Sequence, residues 1–194
     1  HAAQGTSELG LHLGFLLGPR VNAGGRIGKA DLGARLLATV DRNEASALAD
    51  MLDQLNTERR EVESAVRDLA IEQAEARGYD APLVWAAGKN WHPGVVGIVA
   101  SRLKDASNRP SVVIGIDEDG TGKGSGRSVT GIDLGAAIQR LASEGLLIKG
   151  GGHKMAAGLS VEGDKIEANY KGKGKYYPGK ISRVRLNGTY DICY

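Results

Sequence analysis

From Asn43 to Arg77 apolar residues such as Leu48, Leu52, Leu55, Val62, Val66 and Leu69 recur every three or four positions, with no Gly or Pro between them. This is the spacing of one helix face. It predicts a helix over 43–77, about 50 Å long at about 1.5 Å per residue, which Gly78 ends at a position that favours glycine. A helix of that length reads as a strut between two lobes, the alternative being a hairpin helix packed along its whole length. The rhythm then shortens. Pro82 to Ala87 and Ser111 to Ile116 are compact apolar runs of strand length, and between them Pro93 to Lys104 has helical spacing with proline in its first turn. An acidic turn, Asp117-Glu118-Asp119-Gly120, leads to an extended Gly-Ser-Arg segment, a helix over Leu134–Ala142, a Gly-Gly-His loop and a strand near Leu159–Val161.

The order strand, helix, strand predicts an α/β domain with a mixed sheet over 79–162. Residues 1–42 read as a segment between lobes. They are glycine-rich and loop-like around Leu17 to Arg26, and a short helix over Asp31–Thr39 follows with Asp31 as its N-cap. Residues 163–194 read as a β-rich tail of three short strands, 165–171, 177–186 and 189–194, the last two joined by an Asn187-Gly188 hairpin.

Charge refines this division. The net charge of +2 is too small for a bulk field to draw in nucleic acid, but the distribution is uneven. The tail holds seven Lys and Arg against three Asp and Glu, a surplus of four, so the rest of the chain sits near −2. The single Cys193 excludes an intrachain disulfide framework and a cysteine zinc site. With no apolar run of membrane-spanning length and no signal-peptide pattern, the expectation is a cytoplasmic monomer with no membrane partner. The opening His1-Ala2-Ala3, without Met, reads as part of something longer.

The candidate chemistry lies where glycine, hydroxyls and cations crowd together. Glycines let main-chain N–H groups approach an anion, and Lys123, Arg127 and His153 can bring charge to the same place. In Gly124-Ser125-Gly126-Arg127-Ser128 an extended strand would leave the Arg127 guanidinium open to fork onto phosphate, with Ser125 and Ser128 donating beside it; the bland alternative is a solvated hairpin. Gly151 and Gly152 permit close approach ahead of His153, a phosphate donor or, alternatively, a turn residue. Arg20, Asn22 and Arg26 sit among glycines as backbone-contacting groups or as braces for the long helix. His92, before Pro93, is a helix cap beside an anion-accepting N-terminus or a loop-packing residue with Trp91. Trp91 and Trp85 are base-stacking candidates, Trp85 reading as core. Lys123 is followed by Gly124 where a P-loop needs Ser or Thr, so a nucleotide-triphosphate site is not supported. Asp117, Glu118 and Asp119 read as a solvated turn, and no metal site is expected.

Gly18-Pro19-Arg20-Val21-Asn22-Ala23 with Gly25-Arg26, Trp91-His92-Pro93-Gly94 through Leu103, Gly124 to Ser128, and Gly151-Gly152-His153 with Met155-Ala156-Ala157-Gly158 occur in the order found in the RecJ family, which they closely resemble. RecJ proteins are bacterial 5′-to-3′ exonucleases of the DHH phosphoesterase superfamily, specific for single-stranded DNA. The resemblance implies a connecting helix over 43–78 and a DHH-associated substrate-binding domain over 79–162, with single-stranded DNA as partner in repair and recombination. It implies Mn2+ or Mg2+ for the full enzyme, held by an N-terminal DHH domain, and it places His153 facing those metals in a catalytic role. No Asp-His-His occurs in this sequence, so no cofactor is expected on this segment and no exonuclease activity from it alone. Two rivals are a superfamily phosphodiesterase for oligonucleotides or cyclic dinucleotides, and a reader or adaptor, because Lys173 to Ile181 and Gly188 to Ile192 are similar to the opening strands of a Tudor-like barrel.

Overall fold

The computed structural model describes residues 10–162 in full and the backbone of 168–169, 176–177, 180–184 and 190–193. The chain divides into two compact units at Asp68/Leu69, inside the long helix.

The first unit is helical. A π-helical turn, His12–Leu17, runs into α1 (Gly18–Ile27), followed by α2 (Leu32–Ala38) and by α3 (Arg42–Arg77), which continues into the second unit. The loop expected around Leu17–Arg26 is thus a helix. Its glycines are used for close packing. A Cβ on Gly24 would lie 2.9 Å from the Lys29 carbonyl oxygen and 3.2 Å from Leu52, and one on Gly33 of α2 would lie 2.6 Å from the Val21 carbonyl oxygen. Tertiary contact has overridden a poor helix propensity. Leu32, Leu48 and Leu52 form the small core, with Leu36 and Leu55 against it. Asp31 holds the N-cap position of α2, although its side chain makes no capping bond; Asp41 does cap α3, its Oδ1 accepting from the Asn43 and Glu44 amides. Further along, Arg59 donates to Asn56 and ion-pairs with Glu63, all three buried.

In the second unit, β1 (Val84–Lys89), α4 (Pro93–Ser107) and β2 (Ser111–Ile116) form a parallel βαβ unit, followed by β3 (Thr121–Arg127), α5 (Leu134–Ser143), β4 (Lys149–His153) and β5 (Ala156–Glu162). The five strands make one mixed sheet in the order β1-β2-β3-β5-β4, antiparallel beyond β2. The expected Gly-Gly-His loop is therefore strand β4. One face carries Val112, Ala157, Leu159 and Val161 against Leu134 and Ile138 of α5, with Trp85 packed on this core. The other face carries Ser111 and Val113 toward α4, where the buried Ser111 hydroxyl donates to the Ala100 carbonyl.

The two ends of the sheet differ. Along β1, Gln73 of α3 donates to the Ala87 carbonyl and accepts from the Ala87 amide, while Arg77 donates to the Trp85 carbonyl and lies 3.8 Å from the Trp85 ring centroid. Two side chains thus stand in for a neighbouring strand. Gly78, at φ +78, ends the helix as expected.

In the tail, β6 (Ala168–Asn169) pairs with β7 (Tyr176–Tyr177), and β8 (Lys180–Val184) pairs antiparallel with β9 (Tyr190–Cys193), Val184 opposite Tyr190 and Arg183 opposite Asp191. The Asn187-Gly188 turn and the tail side chains lie outside the described residues, as does the Tudor-like reading.

Candidate nucleic-acid interface

Strand alternation puts every second side chain on one face. The register therefore lines up three rows across β4, β5 and β3 on the face that α4 covers in part. The first is His153, Ala156, Arg127; the second Gly151, Gly158, Ser125; the third Lys149, Ser160, Lys123. The middle row carries a single side chain, Ser125 at its α4 end, and is otherwise bare. A Cβ on Gly151 would meet nothing within 4 Å, and one on Gly158 only the Gly124 carbonyl at 4.0 Å. The glycines of the opposite face are filled by contrast. A Cβ on Gly126 would lie 2.6 Å from Leu134, and one on Gly150 2.6 Å from Ile138. The open floor is bounded by cations at both ends, and its end rows are about 13 Å apart along the strands.

The walls are partly committed. Lys123 pairs with Asp117 at 2.7 Å, and that contact, first as a hydrogen bond and then through charge, raises the Lys123 ammonium above its ordinary pKa. Asp119 closes the acidic turn by accepting from the Thr121 amide, which lowers its carboxyl. Arg127 is not extended into solvent as its strand context suggested. It is half-buried, with its Nη1 donating to Ser125 Oγ at 2.9 Å and to the Gly126 carbonyl at 2.8 Å. Lys149 and His153 are exposed.

The predicted residues do not all gather on this face. Lys123, Ser125, Arg127, Gly151 and His153 do. Ser128 does not: it is 1% exposed, and its hydroxyl donates inward to the Ile132 carbonyl at 2.9 Å, so it closes the turn before α5 and has no surface to offer a ligand. Gly152 turns its vacant Cβ position against Ala156 and Ala157, a packing role. His92 caps α4, its Nδ1 accepting from the Gly94 amide at 3.0 Å, and is exposed there. Trp91, 7% exposed, lies on Gly88 and Gly115, where it cannot stack on a base. Arg20, Asn22 and Arg26 belong to α1 in the first unit: Arg20 Nε donates to Asp53 at 2.6 Å and Nη1 to the Leu16 carbonyl, bracing α1 against α3, while Asn22 and Arg26 are exposed. Lys149 and Gly158 are site residues that the sequence reading does not find, while Ser160, between Lys149 and Lys123 in the third row, is buried. Alternation along Lys149-x-Gly151-x-His153 is the signal that finds Lys149, once this stretch is read as a strand.

Residues 80–171 match the DHHA1 domain. Single-stranded-DNA-specific exonuclease RecJ of Bacillus subtilis is 44% identical over 155 residues, covering 79% of this chain and 20% of that protein. The chain carries a DHHA1 domain of the RecJ type. Escherichia coli RecJ is likewise 44% identical, over 161 residues, with 80% of this chain and 28% of that protein covered. The crystal structure of Thermus thermophilus RecJ with Mg2+ superimposes with a TM-score of 0.66 at 39% identity, over 78% of this chain and 23% of that one. The chain thus spans between a fifth and somewhat over a quarter of these RecJ proteins.

Thermus RecJ has been solved with Mg2+ and with Mn2+. Among the described residues of this chain no three His, Cys, Asp or Glu side chains gather as a donor set. In the Asp117–Asp119 turn, Asp117 holds Lys123 and Asp119 holds a backbone amide. These residues do not fit a divalent metal, and no chemical step is assigned to one on them. Among the described residues no helix is long and apolar enough to cross a membrane.

Proposed function

We propose that this segment grips the phosphate backbone of single-stranded DNA and presents the strand to a metal-dependent exonuclease domain of the RecJ type, in DNA repair and recombination. The observation that carries the reading is the open Gly151–Gly158 floor beside Ser125, bounded by Lys149, Lys123, Arg127 and His153. A floor without side chains admits a sugar–phosphate chain to the sheet backbone, and the cations meet its charge. His153 stands at the end of the floor where it can donate to a phosphate oxygen. Its catalytic role is proposed only in company with the metal-bearing domain.

Three side chains of fixed positive charge, Lys123, Arg127 and Lys149, limit the grip to about three phosphates. The logarithm of affinity should therefore fall with the logarithm of salt at a slope of about −2 for single strands. Anisotropy of a labelled oligonucleotide with the full chain, across a salt series, measures this. Single strands should bind more tightly than duplex, and Lys149→Ala should reduce the slope by about 0.7. An unchanged slope in Lys149→Ala would move the binding off this face, the basic tail being the next place to look.

A further inference from the structure

We propose that Gly97 of α4 is the positioning residue for Arg127, a notch in the helix that seats the guanidinium at the wall of the floor; this rests on the phosphate-grip reading above. A Cβ at position 97 would lie 3.0 Å from Arg127 Nη2, 3.0 Å from Ser125 Oγ and 3.6 Å from Ser125 Cβ. These are its three nearest neighbours outside the helix, and all belong to the two polar side chains of the site. The guanidinium lies between the helix at Gly97 and its own strand, where Nη1 already donates to Ser125 Oγ and to the Gly126 carbonyl. Helix, strand and two hydrogen bonds thus hold the planar fork in one orientation before any ligand arrives. Pre-organisation of this kind lowers the ordering cost of a contact.

The glycine is otherwise unexplained. It sits inside a 15-residue helix, where glycine is a poor choice. It differs from Gly135 of α5, whose Cβ would lie 2.8 Å from the His153 carbonyl oxygen and 2.9 Å from the Gly152 backbone. There a methyl would push on main chain. At Gly97 it would push on two side-chain ends, the Arg127 guanidinium, which can swing away, and the Ser125 hydroxyl, which can rotate. The fold therefore tolerates a side chain at 97 and the seat of Arg127 does not.

Gly97→Ala in the full chain tests this. The melting temperature should hold or rise, because alanine favours the helix. Affinity for a single-stranded oligonucleotide should fall about tenfold, the loss expected of Arg127→Ala, where a charge-assisted contact disappears. The double variant should bind no worse than either single one, because both act on one contact. Wild-type affinity in Gly97→Ala, an additive loss in the double variant, or a clear drop in melting temperature would each overturn the assignment. NMR of the Arg127 side-chain Nε–H gives a readout without DNA: a single resolved signal in the wild type that shifts or broadens in Gly97→Ala supports the notch, and an unaltered signal refutes it. A wild-type chain that binds no single strand, yet whose Arg127 signal responds to Gly97→Ala, would sink the phosphate-grip reading and leave the notch standing.

Discussion

Substituting Gly158 by valine separates a glycine kept for a ligand from a glycine kept for the fold. Gly158 lies inside β5, paired with Ser125 on one side and Gly151 on the other, and its φ is not positive. The Gly124 carbonyl at 4.0 Å is all a Cβ there would touch, so the branch point of a valine fits without moving the backbone. Valine also suits a strand better and narrows the unfolded ensemble. Together these stabilise the chain by about 0.5–1 kcal/mol. Its methyl groups would stand on the floor where the sugar–phosphate chain is proposed to lie, and affinity for a single strand should fall at least about tenfold, about 1.4 kcal/mol.

Gly126→Ala supplies the contrast. Its Cβ would enter the opposite face 2.6 Å from Leu134 Cδ2, with the Ser111 carbonyl oxygen and Val112 Cγ2 each at 3.4 Å. Overpacking there costs about 1–3 kcal/mol, while the molecules that remain folded keep an unobstructed floor. Urea unfolding and oligonucleotide anisotropy on the same preparations read both quantities. The reasoning is refuted if Gly158→Val binds a single strand like the wild type, or if it is the less stable of the two variants.

Two further outcomes follow from the scaffold. Gln73→Leu removes both side-chain bonds to Ala87 and exposes the edge of β1, so its urea midpoint should correspond to a loss of about 1–3 kcal/mol; an unchanged midpoint would mean that the edge needs no seal. Glu44 is held below the ordinary carboxylate pKa, first by the Thr39 hydroxyl and then by Arg35. A lowered folded-state pKa gives stability that is present above the ordinary carboxylate value and is lost as the pH falls through the lowered one. The melting-temperature difference between wild type and Glu44→Gln should accordingly shrink as the pH is taken from neutral to below 4, and a constant difference would refute the assignment.

The sequence showed most clearly what is set by short-range periodicity. Ser111–Ile116 was expected as a strand and is β2; the long helical pattern over 43–77 is α3, and Gly78 ends it. The errors share one cause. Glycine was read as freedom, hence as loop, around Leu17–Arg26 and again at Gly151-Gly152-His153, whereas both stretches are regular. What their glycines supply is room, for Leu52 and the Lys29 carbonyl beside Gly24 and for Ala157 beside Gly152, and room depends on residues distant in sequence. Lys149 and Gly158 escape the sequence reading for the same reason: only the pairing of β4, β5 and β3 brings them to one face. Ser128 was misassigned because nothing local distinguishes a hydroxyl facing solvent from one turned inward to the Ile132 carbonyl.

The composition of the face bears on what it would read. Of the two tryptophans, Trp91 is packed on Gly88 and Gly115, and Trp85 belongs to the opposite face beneath Arg77. The three rows themselves contain no Trp, Tyr or Phe, the His153 imidazole being their one aromatic ring, and no Asn or Gln to discriminate a base edge. What they offer is backbone, hydroxyl and cation, the groups that engage phosphate and carry no sequence information. On the proposed reading, a strand held this way could move through the site with any base in any position, as the proposed exonuclease domain would need. The modest number of cations fits that proposal, because a grip of about three phosphates would have to be released and remade at each step, and a deeper electrostatic well would slow that release.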